Sequence, residues 1–201
     1  GQVPYQEWLH SAYRTTRSCQ ACHMPAMPGP LAISSVAGPS RQRLARHDFV
    51  GGNFFMQELF GRFGAELFAP APPADQTLAA LRTREHLSRD AAALEVGKLQ
   101  LFEGRLRAIV TVTNRTGHKL PTAYPSRRVW LHVIVRSVSG SVLFESGALR
   151  EDGSIVGNDN DVDASRFEPH YTRIERPSEV AIYESILGQS AGNVTTGLLA
   201  A

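Results

Sequence analysis

The chain's only two cysteines stand three positions apart in SCQACHMP, residues 18–25, with a histidine directly after the second. C-x-x-C-H is the spacing of c-type haem attachment. Each thiol adds to one haem vinyl group, and the two vinyls sit on neighbouring pyrroles, so the sulfurs need a short, fixed separation. The histidine that follows then comes under the iron and supplies its proximal nitrogen. Cys19, Cys22 and His23 fit these roles. Two other chemistries compete. A redox dithiol needs a βαβ context, whereas HMPAMPGP stops a helix. A zinc clip needs about four ligands, commonly with a second Cys or His pair; the sequence has no such pair, and only His47 offers itself as an added ligand. The spacing favours haem c over both.

A distal ligand must come from the six remaining histidines. His47, in RHDFVGGN, precedes two glycines that permit close backbone approach to a flat macrocycle. His118, in NRTGHKLPTAYP, follows Gly117 and precedes Pro121. Both sit in loops braced by Gly or Pro, as a rigid ligand requires. His132 falls mid-strand and reads as structural, while His10 and His86 fall on predicted helices and read as solvent-facing. Met24 and Met27 follow His23 too closely to reach the opposite haem face. Ligation by two histidines is therefore expected, which sets a lower potential than a His/Met pair.

The elements that would position these residues change character along the chain. Residues 1–90 are rich in Pro-containing loops (MPAMPGP, GPS, PAPPAD) with three predicted short helices: one after Pro4, one in GGNFFMQELFGRFGAELF, and one in ADQTLAALRTREHLSRDAA with Asp75 as its N-cap. After residue 92 the hydrophobic period becomes two. In LRAIVTVTN, Leu106, Ala108, Val110 and Val112 alternate with Arg107, Ile109, Thr111 and Thr113, and Glu103-Gly104 predicts a hairpin turn from the preceding LEVGKLQLF. RRVWLHVIVRSVSGSVLFESG predicts a strand, a turn at Ser139-Gly140 and a return strand; SEVAIYESI predicts another. EDGSIVGNDNDVDAS reads as an acidic loop. The expected architecture is α+β: a helical and irregular haem-binding region over 1–90, then an antiparallel β-sandwich-like domain over 91–201.

Composition bounds the function. With 201 residues the chain can bury a substantial core, and its net charge of +2 gives no basic stripe for nucleic acid. No apolar run reaches the length of a membrane span, and no leader pattern is visible. No nucleophile elbow, phosphate loop or H-E-x-x-H segment occurs, so an electron carrier is expected rather than an enzyme. The alternatives are a haem enzyme or gas sensor with an open distal site lined by His170 and Arg127 or Arg128, and an interaction module with a zinc-clipped sandwich.

Together, CQACHMP, RHDFVGGN, GHKLPTAYPSRRVWLHV and VAIYESILG resemble the C-terminal part of bacterial multihaem c-type cytochromes of the cytochrome c554-related group, over most of the chain. The resemblance implies that His47 and His118 are distal haem ligands, and that a haem-bearing region precedes a β-rich domain. It also implies redox partner proteins and other haem-bearing chains or domains as neighbours. Such proteins carry several C-x-x-C-H motifs and this chain carries one, whose iron has one distal position. One of the two histidines is thus expected to ligate a haem held by another chain, to serve a haem from an upstream segment, or to be a relic without a haem of its own. The ending GNVTTGLLAA suggests a C-terminally truncated β domain. Covalent haem attachment implies a periplasmic, cell-surface or extracellular location.

Overall fold

A computed structural model describes residues 3–195 of the chain. The fold is α+β, with short helices and small antiparallel sheets. Its contacts divide it into two compact units, one of residues Tyr5–Lys119 and one running from Leu120 onward together with the first residues.

The first unit holds four helices and one long hairpin. Helix α1 (Pro4–Leu9) starts on Pro4, whose fixed φ and missing N–H suit a first helical position. Helix α2 (Cys19–His23) is one turn, capped by the Ser18 side chain, which accepts from the Ala21 amide at 3.3 Å. Pro25 then prevents its continuation. Helices α3 (Phe54–Phe63) and α4 (Pro73–His86) pack together. The Thr83 hydroxyl donates to Gln57 Oε1 at 3.0 Å, and Arg84 pairs with Glu58 at 2.6 Å. The cap of α4 is Pro72 rather than Asp75, which sits inside the first turn. There its carboxylate meets the positive end of the helix dipole. One turn of π-helix (Leu87–Ala91) follows α4.

Strands β1 (Ala92–Phe102) and β2 (Arg105–Asn114) form the hairpin. Phe102 pairs with Arg105, and the two-residue turn has positive φ at both Glu103 (48°) and Gly104 (72°). That is the type I′ geometry whose twist matches the flanking strands. The predicted alternation is present, but the apolar face carrying Leu94, Val96, Leu106 and Val110 is largely exposed.

The second unit pairs β3 (Arg128–Trp130) with β6 (Ile182–Glu184), β4 (Val133–Arg136) with β5 (Val142–Ser146), and β7 (Leu187–Gly188) with β8 (Val194–Thr195), all antiparallel. The predicted continuous strand over RRVWLHVIVR is interrupted at Leu131–His132, where the chain leaves one partner strand and joins another. Ile155, Val180 and Ile182 are buried and Trp130 packs against them. The acidic segment is organised rather than loose. It forms a short helix α5 (Asp159–Val162), and Asp161 accepts the Ile155 amide at 2.7 Å and pairs with Arg128. The truncation suggested by GNVTTGLLAA falls only partly on described residues: 192–195 include β8, and residues from 196 onward lie outside them.

Candidate functional site: three imidazoles beside a C-x-x-C-H helix

Helix α2 carries the whole attachment motif. Cys19 and Cys22 are free thiols three residues apart, hence on one face of the turn; Cys19 is exposed and Cys22 half-buried. His23 ends the helix.

Residues 24–50 fold back as an irregular antiparallel excursion, with bridges Ala26↔Ala45 and Leu31↔Arg41. Met27 N donates to Leu44 O at 2.8 Å and Arg46 N to Pro25 O at 3.0 Å. The excursion returns Val50 to His23. The Val50 amide donates to His23 O at 3.0 Å, and His23 Nδ1 hydrogen-bonds Val50 O. Val50 is 4% exposed, so both bonds are sheltered from water. With a carbonyl as acceptor, Nδ1 carries the proton and Nε2 keeps its lone pair, which is the tautomer a metal-ligating histidine needs.

Two further imidazoles stand beside this ring. The His118 ring centroid lies 6.2 Å from that of His23, with the planes 18° apart. The His86 centroid lies at the same distance, 6.2 Å, with the planes 50° apart. The hairpin brings both there. Its open end is closed by the pairing Ala92↔Asn114 and by Arg115 N donating to Ala91 O at 3.0 Å. His86 lies just before that end and His118 just after it. Asp48 anchors the His86 side, since its carboxylate pairs with Arg82 of α4 at 2.8 Å.

The His118 loop is held from several directions. Its carbonyl accepts from Asn114 Nδ2 at 2.7 Å and lies 2.7 Å from the Thr116 hydroxyl. The next amide, of Lys119, donates to Glu7 at 3.0 Å. Gly117 packs so closely on Trp8 that an added Cβ would lie 2.9 Å from Trp8 Cδ1. The His118 Nδ1 donates to Lys119 O at 2.9 Å, and His86 Nδ1 lies 3.2 Å from Asp90 Oδ2. All three rings therefore have Nδ1 engaged and Nε2 unengaged by these bonds. His118 also borders an open hollow of about 500 Å³ shared with His10, Asn114 and Thr116.

These residues fit a haem c. Metal–imidazole bonds of about 2.0 Å and a ring radius of about 1.15 Å put two imidazoles on opposite faces of one iron about 6.3 Å apart, centroid to centroid. The His23–His118 spacing of 6.2 Å agrees with that separation. Among the described residues no three His, Cys, Asp or Glu side chains converge on one bare metal ion.

The remaining predicted candidate lies elsewhere in this unit. His47 is exposed, its ring 5.8 Å from that of Phe49, and it lines a separate hollow with Asp48, Asp75 and Arg82. In the second unit, His132 pairs with Glu145 at 2.8 Å and His170 lies edge-on to Tyr183 with centroids 4.9 Å apart. His86, read from sequence as solvent-facing, has a side chain only 17% exposed. Among the described residues no helix is long and apolar enough to cross a membrane.

The chain matches no protein-family model, no curated protein and no solved structure.

Proposed function

We propose that this chain is a c-type cytochrome domain that transfers electrons through one haem, which Cys19 and Cys22 would hold covalently and His23 and His118 would ligate. The observation that carries the reading is the His23–His118 pair beside the attachment motif: near-parallel rings 6.2 Å apart, each with Nδ1 tied to a backbone carbonyl. The bound haem supplies a one-electron iron couple. The protein's part is to fix the ligands and to govern exposure and neighbours.

Each residue has a physical task. The Cys19 and Cys22 thiols, on one face of a single capped turn, form the two thioethers. Val50 O holds the His23 proton on Nδ1, which leaves the Nε2 lone pair to bind the iron. Lys119 O does the same for His118. Asn114 and Thr116 fix the His118 carbonyl, which limits how far the loop swings. No acid, base or nucleophile is required, so the domain is a carrier rather than an enzyme. Its partners are redox proteins and other haem-bearing chains or domains, as in the multihaem c-type cytochromes it resembles. The reading carries with it a periplasmic, cell-surface or extracellular location.

The test is production in a host with cytochrome maturation, followed by intact mass and absorption spectra of both oxidation states. An added mass of one haem with sharp α and β bands on reduction is expected. A protein without added mass or Soret band would overturn the reading.

A further inference from the structure

We propose that His86 is a second distal ligand, which exchanges with His118 on the same iron; this rests on the haem reading above. One iron bound to His23 has a single position opposite it. Two imidazoles stand within reach of that position, each with its ring centroid 6.2 Å from that of His23, and since two rings cannot occupy it at once, one enters as the other leaves. Both have Nδ1 engaged within their own segment, by Asp90 one turn ahead and by Lys119 O, so both present Nε2. Neither is a fully exposed side chain sweeping through solvent: His86 is 17% exposed and His118 is half-buried.

The two ligands ride on different supports. His86 is the last residue of α4, immediately before the π-helical turn Leu87–Ala91. A π-helical turn is rare, and single ones are concentrated at functional sites. His118 rides on the loop that leaves β2. Exchange breaks one iron–Nε2 bond and forms another. No electron is gained or lost, and no proton need move, because each ring keeps its own on Nδ1. The two rings stand at different angles to His23, 18° for His118 and 50° for His86, so the two states are expected to differ in the angle between ligand planes. That angle governs the g-anisotropy of a low-spin ferric haem, so the two states are distinguishable by electron paramagnetic resonance.

The experiment uses the full chain with haem attached, as wild type, His118→Ala, His86→Ala and the double variant. His118→Ala is expected to stay low-spin with an altered g-pattern, and the double variant is expected to be high-spin and to bind carbon monoxide when reduced. Adding imidazole to the double variant should restore a low-spin spectrum, which establishes that the pocket is intact. A fully high-spin His118→Ala that imidazole converts to low-spin would overturn the exchange while leaving the haem reading standing. A wild type without haem would overturn both.

Discussion

Gly117→Ala tests whether the loop before His118 aims a ligand. The new Cβ would lie 2.9 Å from Trp8 Cδ1, with Tyr13 Cδ2 at 3.6 Å and Ser11 Oγ at 3.8 Å. Carbon atoms rest at about 3.5–4.0 Å, so something must yield by about 0.6 Å or more. Trp8 is poorly free to do so: its Nε1 donates to Arg17 O at 2.9 Å, and its carbonyl accepts from the Ser11 hydroxyl at 2.9 Å. The loop gives way instead, and a ligand needs to be held within about 0.5 Å of its productive position. Overpacking of this kind costs about 1–3 kcal/mol, equivalent to a shift of about 5- to 150-fold in the ratio of bound to released His118. The assay is carbon monoxide affinity of the reduced protein, with His86→Ala as parent so that no second imidazole competes. Affinity should rise by that factor, and Trp8→Ala added to Gly117→Ala should reverse much of it by making room. Unchanged affinity in a folded Gly117→Ala protein would refute the reasoning, because a displaced loop would then not matter to the iron.

Other outcomes follow from the same geometry. His47→Ala should leave the low-spin spectrum of the isolated chain unchanged, since that ring stands with Phe49 and not beside His23; a high-spin product would reassign the distal ligand. Ile155→Ala empties part of a fully buried cluster and should lower stability by about 2–5 kcal/mol in urea denaturation. Burial raises the Glu184 carboxyl above the ordinary glutamate range, opposed by Arg128 across the strand pair and reinforced by Asp161. Folded Glu184 thus binds its proton more tightly than the unfolded chain does. Its contribution is fully present below the ordinary glutamate pKa and declines as pH rises through the raised value. Glu184→Gln should flatten that decline in urea midpoints measured from acid to neutral pH; Glu168, also raised by burial, accounts for part of what remains.

Local chemistry was legible in the sequence where a short pattern determines it. The helix stop at HMPAMPGP, the hairpin turn at Glu103-Gly104 and the helices after Pro4 and in FFMQELFGRF each depend on a few adjacent residues. His86 was missed because a helical position says nothing about which face meets another element. The hairpin held part of the missing signal: counting back from its turn brings the residues before β1 opposite those after β2, and His86 and His118, on the chain segments either side of it, both come beside His23. The break in RRVWLHVIVR was illegible for the opposite reason. Alternation runs through it, while the change of partner strand depends on residues more than ten positions away, Ser146 with Val133 and Ile182 with Trp130. The solvent exposure of Leu94, Val96 and Leu106 also escapes a pattern argument, since alternation identifies an apolar face without saying what covers it.

The two-way bond between His23 and Val50 uses only main-chain atoms of Val50. The aim of the His23 ring is therefore written in chain length and path, not in any side chain at position 50. An alanine scan across the site would pass over it, because every residue except proline offers the same N–H and C=O. A one-residue deletion between 24 and 49 is the sensitive probe: it shifts the Ala26↔Ala45 and Leu31↔Arg41 pairings and presents His23 with a different peptide group. Substitutions that keep the main chain leave this bond in place, whereas an insertion or deletion within the excursion moves it.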